Sequence, residues 1–120
     1  MRTAPQRPAV PLRGAWVTLD LTDGRRMTVR FVRAGFVVAG CKRWEFDHGA
    51  YGANRADVFI RVDVITRISP AQRPARALSF VDPFGKRQWV GRFATQEEAD
   101  VAIAPWRRLV TDIRFREARQ

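Results

Sequence analysis

A chain of 120 residues with 46% hydrophobic side chains builds one ordinary domain with a real core and excludes two. Its net charge of +10 and pI near 11.5 direct it toward a polyanion, either nucleic acid or an acidic protein. Cys41 is the single cysteine, which excludes an intrachain disulfide, and no run approaches the ~20 apolar residues of a membrane-spanning helix.

Lys42 and Lys86 are the only lysines among 22 basic residues. Arginine grips phosphate bidentately, which lysine does not. GC-rich coding also exchanges Lys for Arg, but it does not create a surplus of ten charges. Pro5, Pro8 and Pro11 interrupt the apolar core that a signal peptide needs, so the expected location is cytoplasmic.

In chain order, residues 1–13 read as a basic, Pro-containing flexible arm with Arg2, Arg7 and Arg13 and no acid. A hairpin follows. Val17, Leu19 and Leu21 alternate with Trp16, Thr18 and Asp20, and Met27, Val29 and Phe31 alternate with Arg26, Thr28 and Arg30. A Thr22-Asp23-Gly24 loop of three residues pairs Leu19 with Met27 and Val17 with Val29, keeping the apolar set on one face. A two-residue turn scrambles the faces. The same register sets Asp20 against Arg26 and Trp16 against Arg30.

Residues 36–41 read as a short third strand. Lys42 to Asp57 reads as a long loop, with Trp44, Phe46 and Tyr51 as anchors. Val58 to Ile65 alternates as a strand, and Ser69 to Arg76 is a link containing Pro70 and Pro74. A second hairpin, Ala77 to Asp82 and Arg87 to Phe93, turns through residues 83–86; a four-residue loop pairs Phe80 with Trp89. Thr95 and Glu98 form a capping box. Ala99, Ala102, Ile103, Trp106, Leu109, Val110 and Ile113 then follow the helical period, predicting a helix over 95–115 that Pro105 either kinks or ends after its first half.

The expected fold is mainly β (α+β): about six antiparallel strands in two hairpin-built layers or a small barrel, closed by one C-terminal amphipathic helix. The domain spans 14–116, and 117–120 is a tail. The predicted core is Val17, Leu19, Val29, Phe31, Val37, Ile60, Val62, Phe80, Trp89, Phe93, Ile103, Trp106, Leu109 and Val110.

Candidate chemistry is sparse. His48 is the only histidine, and adjacent Asp47 is poorly placed to orient it. No catalytic residue, metal or cofactor is expected, and the chain reads as a binding module rather than an enzyme. Charge placement is more informative. The stretch from Arg25 to Arg43 carries Arg26, Arg30, Arg33, Lys42 and Arg43 and no acid. Arg26 and Arg30 share a strand face with Trp16, a combination suited to phosphate contact and base stacking. A solvated face with a Trp–Arg cation–π pair is the alternative.

Residues 76–104 resemble the end of the AP2-type DNA-binding domain and the arm-binding domains of phage integrases. The likeness rests on Asp82-Pro83, a basic turn, and then Trp89, Gly91, Phe93, Thr95, Glu97, Glu98 and Ala99 in the family's spacing. It implies a three-stranded sheet that meets DNA, a helix packed behind it, and Arg76, Lys86, Arg87 and Arg92 facing the ligand. The counterpart of the family's arginine-bearing first strand, around Arg67 to Arg73, holds Pro70. The overall layout, with a Val62-Asp63-Val64-Ile65-Thr66-Arg67-Ile68 strand, a Gly-turn hairpin and one C-terminal helix, also resembles bacterial pleckstrin-homology-like domains, which implies a scaffold for proteins or lipid head groups and, for this chain, docking of an acidic protein partner or self-association into a homo-oligomer. The function expected first is non-catalytic binding of nucleic acid, DNA before RNA, through the phosphate backbone with low sequence specificity.

Overall fold

The computed structural model describes residues 9–50 and 55–118. Residues 1–8 of the arm and the anchor Tyr51 lie outside the described residues. Among the described residues eight strands form two antiparallel sheets, accompanied by one short helix.

The first sheet contains β1 (Trp16–Leu21), β2 (Arg26–Val38), β3 (Cys41–Asp47), β4 (Val58–Arg61) and β5 (Ile65–Pro70), in the order β4-β3-β2-β1-β5. The β1–β2 register is the expected one: Leu19 faces Met27, Val17 faces Val29 and Asp20 faces Arg26. The Leu21 N–H donates to Arg25 O at 2.9 Å, and Gly24 sits at φ +86°, as a three-residue loop requires.

The expected strand at 36–41 and loop at 42–57 are corrected. β2 runs on through Gly35 to Val38 with two register shifts, and the chain reverses at Ala39-Gly40, both at positive φ. That is a two-residue hairpin of the type matched to strand twist. Its return strand is β3, which buries Trp44 and Phe46 against Phe31. Trp44 is therefore a core residue on a strand rather than an anchor on a loop.

β4 and β5 are the two edges of this sheet, yet only a 3-10 turn, Val62–Val64, separates them. In a flat sheet these edges lie about 19 Å apart, and the linking backbone reaches at most about 14 Å. The sheet must curl. Val17, Leu19, Leu21, Val29, Phe31, Trp44, Phe46 and Ile65 fill the concave side, with Ile60, Val62 and Val64 packed against them.

The second sheet contains β6 (Arg76–Val81), β7 (Arg87–Phe93) and β8 (Thr111–Glu117), in the order β7-β6-β8. The helix α1 (Gln96–Ile103) lies between β7 and β8 in the chain. Leu78, Phe93, Ala99 and Ile103 form its own small core, flanked by Phe80, Val90, Ile113 and Phe115. The helix thus covers the second sheet rather than packing across both.

The expected 95–115 helix is too long. Its cap is present: the Thr95 hydroxyl oxygen accepts the Glu98 N–H at 3.1 Å. The helix stops at Ile103, a 3-10 turn follows at Ala104–Trp106, and β8 begins at Thr111. Pro105 lacks the N–H that would continue the helical ladder. Trp106 and Leu109, expected in the core, are exposed, as are Val37 and Trp89.

The second hairpin also differs by one residue from the expected register. Asp82 N–H donates to Lys86 O, leaving Pro83-Phe84-Gly85 as a three-residue loop with Gly85 at φ +82°. Trp89 then faces Ser79, not Phe80.

A polar joint links the two units. The Arg92 N–H on the open edge of β7 donates to His48 O at 2.6 Å, and the His48 ring stacks on Phe93 at 4.3 Å. Glu98 Oε1 accepts the Thr28 N–H of β2 at 2.6 Å.

Candidate nucleic-acid interface

The residues singled out from the sequence divide between the two sheets. On the first, Arg26 pairs with Asp20 at 2.7 Å and Arg33 with Glu45 at 2.8 Å. Arg30 grips fully buried Asp47 with Nε and Nη2, each at 2.9 Å, and lies over the Trp16 ring. The segment from Arg25 to Arg43 is free of acid in sequence but not in space. β3 carries Glu45 and Asp47 alongside it. Lys42 and Arg43 lie exposed at the far end of β3.

On the second sheet, alternation assigns the faces. Leu78, Gly91 and Phe115 share one cross-strand row, on the side of the small core. Their neighbours point the other way. That outward face has three rows: Arg92, Ala77 and Arg116; Trp89, Ser79 and Arg114; Arg87 with Val81. Short side chains occupy the central strand, and arginines occupy both flanks. Trp89 sits among them, 57% exposed.

Arg87 and Arg92 thus share a face, and Lys86 adjoins it in the hairpin turn. Arg76 does not join them. It points to the helix side, with its guanidinium 4.1 Å from the Phe115 ring centre.

Sequence reasoning misses that Trp89, Arg114 and Arg116 share this face. Trp89, Gly91 and Phe93 alternate as if all three were internal, but a one-residue bulge at Val90 turns Trp89 outward. Arg114 and Arg116 fall at the end of the expected helix and just beyond it. Their signal is the strict alternation in Asp112-Ile113-Arg114-Phe115-Arg116.

Asp112 organises this face. Its carboxylate takes Arg87 Nη2, and Arg114 at 2.8 Å, while Arg87 Nη1 donates to Ser79 Oγ at 2.9 Å. Hydrogen bonding from Arg114, with both arginine charges nearby, holds the Asp112 carboxyl below the usual carboxylate range. At the opposite end, Arg92 Nη1 donates to Pro74 O at 2.9 Å. Desolvation and the adjacent Arg73 charge pull the Arg92 pKa down. Two cations held close together favour an anion between them.

No protein family, curated protein or solved structure matches the chain.

The joint is the other place where titratable groups gather. Burial pushes the His48 imidazole down to about 4, against the opposing charge of Asp47. Its Nδ1 is buried without a hydrogen-bond partner. Partial desolvation and the Asp47 charge raise the Asp57 carboxyl to about 6, although Asp57 as a residue is exposed. His48 at neutral pH is therefore an uncharged packing group against Phe93. Among the described residues no three His, Cys, Asp or Glu side chains converge as a metal site, and no helix is long and apolar enough to cross a membrane.

Proposed function

We propose that the chain is a non-catalytic nucleic-acid-binding protein, and that the outward face of β6–β8 is its contact surface. One observation carries this reading. Arg87, Arg92, Arg114 and Arg116 flank the small residues of β6, with exposed Trp89 among them and Asp112 as the acid of that face. Guanidinium groups on both sides of a shallow sheet suit phosphate oxygens, which position a strand without reading its sequence.

The three-stranded sheet with a helix behind it supports the integrase-arm resemblance in outline. The connectivity differs. The third strand is β8, supplied from beyond the helix, and it carries Arg114 and Arg116, whereas the family's arginine-bearing strand comes first in the chain. Low sequence specificity follows from contacts to the backbone alone.

Fluorescence anisotropy with labelled oligonucleotides at two salt concentrations tests this. Binding should weaken by about 0.7–0.9 log units per phosphate contact for each log unit of salt. Absence of binding at low salt would remove the proposal. Binding of a defined acidic protein instead would favour the second reading, an interaction module, for which the exposed Val101, Trp106 and Leu109 offer apolar contact area.

A further inference from the structure

We infer that the ligand of this face is single-stranded nucleic acid, with one unpaired base stacked on Trp89. The inference rests on the nucleic-acid reading above and narrows its ligand class.

Two observations point to it. The first is the state of the Trp89 ring. The structure covers Trp16 with Arg30, and the ring of Phe115 with Arg76. Among the described residues no cation or ring lies over Trp89, although arginines stand on three sides of it. A large apolar ring is thus left open inside a cationic array.

The second is the ring's surroundings. Along β7, Trp89 lies between Arg87 and Arg92, and across β6 it faces Arg114. Phosphates drawn to these three groups carry their own bases past the ring. A π-face satisfies a tryptophan where a phosphate or sugar cannot, and base–aromatic stacking tolerates any base. A duplex keeps its base faces stacked on one another and offers them only at its ends.

The experiment compares the full chain, wild type and Trp89→Ala, against a 12-nucleotide oligo-dT and a blunt duplex of the same length, at one low salt concentration. The wild type should prefer the single strand. Trp89→Ala should weaken single-strand binding by about 5- to 100-fold, the range for losing one stacked base, and leave duplex binding within about twofold. Trp89→Phe should restore most of the loss. An exposed ring is not needed for folding, and equal melting temperatures for the two proteins verify that. Equal loss on both ligands, no loss on either, or a duplex preference overturns the single-strand inference while leaving nucleic-acid binding intact. Failure of the wild type to bind either ligand overturns both.

Discussion

Glu98 of the helix accepts the Thr28 backbone N–H of the first sheet at 2.6 Å. Thr28 lies on β2 beyond the end of β3, whose last pair is Asp47 with Arg30. Among the described residues no strand is there to take its N–H, and a carboxylate from the other unit does. The capping box read from the sequence is therefore only half used for the cap. Thr95 caps Glu98 and its hydroxyl donates to Glu98 Oε2 at 3.3 Å, while Glu98 Oε1 reaches across the joint instead of accepting the Thr95 N–H.

Glu98→Ala should cost about 1–3 kcal/mol, the usual penalty for orphaning a partly buried donor. Urea unfolding gives the magnitude. Hydrogen exchange gives the location: the Thr28 amide should exchange faster, while amides in the middle of β6 stay protected.

Gly91→Ala should be more damaging than its conservative chemistry suggests. Gly91 has φ +147°, and a Cβ there would collide with His48 Cβ and lie 2.8 Å from His48 O. The clash falls on backbone, which cannot swing aside. The expected outcome is a lower melting temperature and loss of the His48–Arg92 bond, visible as accelerated exchange of the Arg92 amide. Gly85→Ala meets nothing within 4 Å and suffers only the positive-φ strain, so its loss should be smaller.

His48 predicts an acid-sensitive joint. Its pKa is about 4 in the folded protein and near 6.5 when unfolded. Between these values the unfolded chain binds a proton that the native state resists. Stability from the neutral imidazole is full above pH ~6.5 and falls as pH drops toward 4, by roughly 3 kcal/mol in all. Asp57 works the other way. Its folded pKa of about 6 exceeds the ordinary value of 3.8, so the native state binds protons more tightly and gains stability as pH falls from 6 to 4. Asp57→Asn should raise stability at pH 7 and steepen the acid loss. Urea midpoints for both proteins across pH 4–8 measure it.

Asp112→Asn should strengthen nucleic-acid binding. Asp112 occupies Arg87 and Arg114, and its φ of +47° suits asparagine. Removing its charge frees two guanidinium groups for phosphate. Several-fold tighter binding and a steeper salt dependence are the expected readouts in an anisotropy titration.

The first hairpin is legible to the residue because two constraints agree: side-chain period and a glycine suited to the left-handed position. The second hairpin obeys the same rule at Gly85, but an even four-residue turn hides it. β3 is unreadable for a different reason. Lys42, Arg43, Glu45 and Asp47 look like a solvated loop until Arg30 and Arg33 stand opposite and neutralise the acids. The face carrying Trp89 cannot be seen in one strand, since a bulge reverses the alternation halfway along β7. Arg114 and Arg116 alternate openly with Ile113 and Phe115. The apolar spacing through Trp106 and Leu109 masks that change of period, although Pro105 already marks where the helix should stop.

Which arginines meet the ligand is the central question. The decisive measurement is the salt dependence of single-stranded oligonucleotide binding for two double variants, Arg114→Ala with Arg116→Ala, and Arg26→Ala with Arg33→Ala. Each pair removes two positive charges, so net charge is matched. The first should lower the slope of log affinity against log salt by about 0.7 for each phosphate no longer held, and the second should leave it unchanged. Equal slopes for the two variants, or a larger drop from the β2 pair, would contradict the assignment of the β6–β8 face.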